Sequence, residues 1–200
     1  MNKTVFTFRL LILTITLGIA SLSFGQEPAR PFTNIKIKNF GQMDDRFYRG
    51  AQPKETDYRD LAALGVRTVI DLQDDPKAYE KQNVEALGMR YVNIPMSDKS
   101  YPKAEQIATF LKLADDPGTG KFYVHCAGGR HRTGVMGAVY RFNHDHWNYD
   151  QAYAEMKQYD FYTRWGHGAM KDFVQDYWQQ FQSAASATAK TQAETATGKK

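Results

Sequence analysis

The stretch His125-Cys126-Ala127-Gly128-Gly129-Arg130-His131-Arg132-Thr133 constrains the fold more than any other part of the chain. Before it, Lys121-Phe122-Tyr123-Val124 is a short aromatic and β-branched run that reads as a strand. After it, Thr133 to Phe142 is apolar and rich in small residues, as a buried helix is. A strand that passes through two glycines directly into a helix has a geometric consequence. Successive backbone N–H groups of the turn converge on one centre, and the helix adds its positive end, so the loop is suited to an anion. Cys126, the only cysteine, would be drawn toward thiolate there by the amides and the nearby cations. Arg132, six positions on, offers a planar fork of donors for two oxygens of an oxyanion. Gly128 and Gly129 admit the turn and a close approach to the backbone.

The rest of the chain alternates in periodicity. Strands are expected over Ile35–Phe40, Phe47–Gly50, Val66–Asp71 and Met89–Ile94, the last stopped by Pro95. Helices are expected over Pro53–Leu64, Tyr79–Leu87, Pro102–Leu113, Trp147–Tyr159 and Gly168–Phe181, with Gly65 and Gly88 as C-terminal stops. Strands alternating with helices predict an α/β fold, with a central, largely parallel sheet flanked by helices. The glycine loop then leaves the C-terminal end of a central strand, where such sheets place ligands.

The ends read differently from the middle. Lys3 and Arg9 precede an apolar run from Leu10 to Ala20, with Ser23 and Gly25 at the small positions before a cut ahead of Gln26. Residues 1–25 are therefore expected to be a signal peptide, which predicts a periplasmic or secreted protein with no stable membrane span after its removal. A retained anchor is the alternative. Residues 26–182 form the expected domain, and the Ala/Thr/Ser/Lys-rich residues 183–200 are expected to be a disordered tail. The formal charge of +4 resides at the ends. Lys3 and Arg9 account for two charges, and Lys190, Lys199 and Lys200 against Glu194 for the other two. A neutral domain argues against nucleic acid as a partner. One cysteine excludes an intramolecular disulfide.

The pattern His-Cys-x5-Arg-Thr resembles the signature of cysteine-dependent phosphatases of the protein tyrosine and dual-specificity superfamily. Phe47-Tyr48-Arg49-Gly50-Ala51-Gln52-Pro53, Leu64 to Leu72, Asn93-Ile94-Pro95-Met96 and Arg130-His131-Arg132-Thr133-Gly134 resemble the atypical dual-specificity phosphatases of plant and fungal type. The likeness spans residues 40–145, with Ala127 standing where a lysine or arginine is common. It implies a dual-specificity-phosphatase-like fold and hydrolysis of phosphate monoesters, of the phosphotyrosine type or on inositol (pyro)phosphates, through a phosphocysteine intermediate. The phosphorylated substrate is the partner, and neither cofactor nor metal is implied.

Within that chemistry Cys126 is the nucleophile, and Arg132 with the amides of Ala127, Gly128, Gly129, Arg130 and His131 binds the phosphoryl oxygens. Thr133 can donate a hydrogen bond to the sulfur, and His125 supports the loop rather than acting as a base. Asp98, on the loop after Ile94-Pro95-Met96-Ser97, resembles the family's general acid, with Asp71 the runner-up. Asp74 and Asp75 read as charges favouring the start of the helix after Pro76. Arg130 and His131 either touch substrate or brace the loop. Tyr162, Arg164, Trp165 and His167 either rim the pocket or pack, and Lys99 and Lys103 flank the acid loop. His144 and His146 alone would leave a metal site underfilled.

Other classes remain open at this point. A catalytically silent phosphate-binding module can use the same loop, but needs neither thiol nor acid. A rhodanese or arsenate-reductase-like thiol enzyme also keeps a cysteine in an anion loop, although no second cysteine is present to resolve it. A nucleotide P-loop is excluded, because Val135 and Met136 stand where lysine and serine or threonine are required.

Overall fold

Five strands in the order β1-β2-β5-β3-β4 form one sheet. In this computed structural model residue 32 and residues 34–197 are described, with side chains as far as 188. The expected signal peptide and the last three residues lie outside them. The strands are β1 (Gly41–Gln42), β2 (Phe47–Ala51), β3 (Val66–Gln73), β4 (Arg90–Met96) and β5 (Lys121–Cys126). β2, β5, β3 and β4 run parallel, and β1 pairs antiparallel with β2. The helices are α1 (Asp57–Ala63), α2 (Glu80–Ala86), α3 (Ala104–Asp115), α4 (Arg132–His144), α5 (Tyr149–Gln158) and α6 (Gly168–Thr197). The expected α/β fold with a largely parallel sheet is therefore found.

The sheet's pleat separates two cores. Phe122, Val124, Cys126, Ile70 and Leu72 point to one face and pack with Phe110 of α3, Met136 and Phe142 of α4 and Met156 of α5. Tyr123, Val69, Val66 and Tyr48 point to the other and meet Tyr58 and Leu61 of α1 and Val84 of α2. Both faces of β5 are covered, which is why Phe122, Tyr123 and Val124 are apolar in succession rather than alternating. From Arg132 to Phe142, α4 is buried, and its small residues let it lie close against its neighbours.

Three expectations are corrected. Ile35–Phe40 is not a strand. Ile37 is buried and Phe40 stacks on Tyr48 and Tyr123, but Asn39 takes φ +54 and breaks the extended run, so the alternation reflects packing without a ladder. Pro95 does not stop β4, which continues to Met96; β4 is an edge strand, where a missing N–H costs no ladder bond. The tail expected to be disordered continues α6 to Thr197. Its packed first turns, with Met170 and Val174 buried, meet the cost of nucleation, and alanine-rich sequence then propagates a helix with little loss.

Candidate active site

The loop after β5 curls under the N-terminus of α4, and distant side chains fasten it. Arg49 Nη2 donates to Gly129 O at 2.7 Å, and Asn39 Nδ2 donates to Gly128 O at 2.8 Å. Gly129 sits at φ +66, and a Cβ there would lie 2.4 Å from Gly50 C and 2.6 Å from Ala51 N, so only glycine fits against that backbone. Arg49 is wholly buried and lies over the Tyr159 ring at 3.9 Å. Its part in fixing the loop was not read from the sequence, where it showed only as one letter of a family-like run.

Cys126, Ala127, Gly128, Arg130, His131 and Arg132 line a cavity of about 190 Å³, joined by Asp98, Tyr162 and His167. Most of the sequence-derived candidates thus converge, Asp98 among them, while Gly129 and Thr133 do not line the cavity. Arg132 Nη1 donates to Asp74 Oδ1 at 2.7 Å and to Met96 O at 3.0 Å, while its buried Nε has no partner among the described residues. The guanidinium is thereby anchored at one corner with donors left for phosphoryl oxygens. His167 Nδ1 lies 2.7 Å from Asp98 O, and its ring stacks on His131 at 3.7 Å and 9°. His131 Nε2 in turn meets Tyr162 O at 3.0 Å. The Asp98 loop is therefore tied to the glycine loop through two imidazoles.

Burial alone would push the Cys126 thiol up. The Thr133 hydroxyl and N–H, the Arg132 charge and the Arg130 N–H outweigh it, so the thiol lies below its ordinary value of 9.0. Thr133 Oγ1 is buried, and among the described residues no nitrogen or oxygen hydrogen-bonds it. His131 is pushed down to about 4 by burial and by its neighbour His167, so it is neutral near pH 7.

Strand alternation turns His125 to the sheet face opposite Cys126, so it cannot reach a molecule in the cavity. Its Nε2 lies 2.8 Å from Glu80 Oε1, with both side chains fully buried. Burial drives His125 down, but Glu80, with Asp71 and Cys126, raises it above 6.5; burial drives Glu80 up, but His125, with Gln52 and Tyr58, brings it below 4.5. Each partner thus favours the charged form of the other, on the sheet face opposite the thiol. Gln52 Nε2 donates to Glu80 Oε2 at 3.0 Å, and Gln73 Nε2 to Gln52 Oε1. Asp71, His125's partner in the β3–β5 register, accepts from Gln73 N at 2.9 Å and from the Tyr91 hydroxyl at 3.0 Å. Asp71, Glu80 and His125 form a cluster compact enough for a cation, and within it His125 pairs with Glu80.

Several alternatives fall away. Asp71, the second choice for an acid, is wholly buried on the far face, where burial raises its pKa. Asp74 is not a helix-start charge but the anchor of Arg132. Lys103 pairs with Glu105 at 3.9 Å and, like Lys99, does not line the cavity. Glu80 was missed because a lone glutamate in a helical run carries no sign of burial.

A family model described as DSP-PTPase phosphatase fused to NAD+ kinase matches residues 32–176. A probable tyrosine-protein phosphatase of Dictyostelium discoideum is 28% identical over 132 residues, 63% of this chain and 78% of that protein. The dual specificity protein phosphatase TpbA of Pseudomonas aeruginosa is 29% identical over 121 residues, 60% of this chain and 54% of its own length, so the chain spans about half of that relative. Among solved structures, the Siw14 catalytic core superposes with a TM-score of 0.62 at 18% identity, covering 76% of this chain and 93% of that one. P. aeruginosa TpbA gives 0.60 at 24%, covering 70% and 84%. These two show the fold. The family model, which spans well over half of the sequence, shows the kinship: the chain belongs to the DSP-PTPase phosphatase family.

Proposed function

We propose that the chain hydrolyses phosphate monoesters in two steps through a phosphocysteine. The observation that carries this is the thiol of Cys126, lowered in pKa, sharing one cavity with Arg132 and Asp98. Cys126 Sγ attacks phosphorus, and the S–P bond forms as the ester P–O bond breaks. Asp98 gives its proton to the departing oxygen. Asp98, now a carboxylate, then takes a proton from water, whose oxygen bonds to phosphorus as the S–P bond breaks. Cys126 leaves as thiolate and Asp98 is again an acid. Arg132 and the loop amides hold the three equatorial oxygens, where charge accumulates.

The wall of Tyr162, His131 and His167 favours a phosphorylated aromatic ring, and a structure of TpbA is described in complex with phosphotyrosine. An inositol diphosphatase of Arabidopsis thaliana, 27% identical over 105 residues, supports inositol (pyro)phosphates as the second class. Ala127, with no charge in the loop, weighs against the more highly charged of these. Purified protein is expected to release phosphate from an aryl phosphate in the presence of a chelator, with inhibition by vanadate. Cys126→Ser should abolish release while retaining vanadate, and Asp98→Ala should slow alkyl phosphates far more than nitrophenyl phosphate. Undiminished release by Cys126→Ser refutes the reading.

Residues 1–25 support export to the periplasm or medium. Protein recovered from those fractions should begin at Gln26, and an intact Met1 on membrane-bound protein refutes cleavage. Among the described residues no helix is long and apolar enough to cross a membrane.

A further inference from the structure

Beside the cavity over Cys126 lies a second, of about 380 Å³, and the two share Arg130 and Tyr162. Its outer wall is the turn between α5 and α6. Trp165 is 70% exposed and takes φ +57, in the left-handed region that side chains avoid. That strain recovers no burial; it presents an indole face beside a pocket. The Arg164 guanidinium lies 4.4 Å from the Trp165 ring centre and 5.3 Å from that of Tyr162. The other arginines here are matched, Arg132 by Asp74 at 2.7 Å and Arg130 by Asp160 at 3.7 Å. Among the described residues, no carboxylate comes within ion-pair reach of Arg164. With Arg130 and Asp160 offsetting each other, the pocket is left with one net positive charge, stationed on aromatic rings that limit its hydration.

We propose that Arg164 and Trp165 form a second substrate subsite, taking the acidic side chain that neighbours a phosphotyrosine in an extended peptide. The carboxylate meets the Arg164 guanidinium, and adjacent peptide atoms lie against the Trp165 ring. One free charge suits one carboxylate better than a polyphosphate, and a tryptophan face suits a peptide. The proposal rests on the phosphatase reading above and adds what it recognises around the phosphate.

The test compares kcat/KM for phosphotyrosine peptides flanked by glutamate, alanine or lysine, with a nitrophenyl phosphate as the small reference. The unaltered protein should prefer the acidic over the alanine peptide by about threefold to tenfold, the size of one partly exposed charge-assisted hydrogen bond. The preference should lie in KM and shrink at high salt. Arg164→Gln should erase it, and Trp165→Ala should weaken all three peptides, with nitrophenyl phosphate turnover unchanged in both. A preference that survives in Arg164→Gln, or is absent from the unaltered protein, overturns the subsite. If inositol hexakisphosphate competes in an Arg164-dependent way while the peptides are indifferent to Arg164, the peptide assignment falls. Failure to hydrolyse nitrophenyl phosphate at all is a separate readout, and it sinks the phosphatase reading instead.

Discussion

Replacing Glu80 by Gln tests the buried layer under the thiol. The substitution keeps the shape and the capacity to accept from Gln52, and removes only the charge that pairs with His125 at 2.8 Å. Removing one partner of a buried ion pair costs about 3–5 kcal/mol when the other stays charged. Here that is a ceiling, because His125 can lose its proton and become neutral. For a domain of this size the ceiling corresponds to a fall in Tm of about 6–20 °C.

The pH dependence is sharper evidence than the magnitude. His125 is raised above its ordinary 6.5, so its contribution is complete below 6.5 and is lost as pH climbs through the folded value. Glu80 is lowered below 4.5, so its contribution is complete above 4.5 and is lost as pH falls through the folded value. The Tm gap between wild type and Glu80→Gln should therefore be widest between pH 4.5 and 6.5 and should narrow in alkali. The thiol should respond too. Cys126 helps to raise His125, so by reciprocity the imidazolium favours the thiolate. Iodoacetamide alkylation and kcat/KM should both shift to higher pH in the variant. A Tm gap independent of pH, with an unmoved alkylation profile, would refute the charged-pair reasoning.

Gly129→Ala forces a Cβ to within 2.4–2.6 Å of the Gly50 and Ala51 backbone at φ +66. The loop must move, and activity on an aryl phosphate should drop by about 10²-fold, as catalytic groups displaced by an ångström lose. His167→Ala removes the tether to Asp98 O. Turnover of an alkyl phosphate should fall about tenfold, the worth of one well-placed hydrogen bond, while nitrophenyl phosphate turnover changes less; equal losses on both would deny that His167 positions the acid. His131, pushed down to about 4, contributes stability that is lost as pH falls from 6.5 toward that value. Its opposition to His125 should show as a steeper acid loss of Tm in wild type than in His131→Phe, read by thermal unfolding between pH 4.5 and 6.5.

Much of the glycine loop was legible because its parts are contiguous. Cys126, the glycines, Arg132 and Thr133 are bound together by chain connectivity, and strand and helix periodicity place them at the end of a parallel strand. Asp98, singled out because its loop after β4 resembles the family's acid loop, lines the same cavity. The polar support was not legible, because its members come from far apart. Arg49 reaches Gly129 across 80 residues, Arg132 reaches Asp74 across 58 and His167 reaches Asp98 across 69. Asp71, the second choice for an acid, and Asp74, read as a helix-start charge, took their places only in the structure, the first buried beside His125 and the second on Arg132.

By itself, then, the sequence determined the strand–glycine loop–helix unit that carries Cys126 and the α/β alternation around it, since each depends on neighbours within a few residues. Tertiary structure alone decided that His125 faces away from the cavity toward Glu80, that Asp74 holds Arg132, and that Arg164 stands without a counter-charge. Those outcomes depend on which strand lies beside which and on what is buried. A local pattern of letters does not contain the desolvation and pairing that burial imposes.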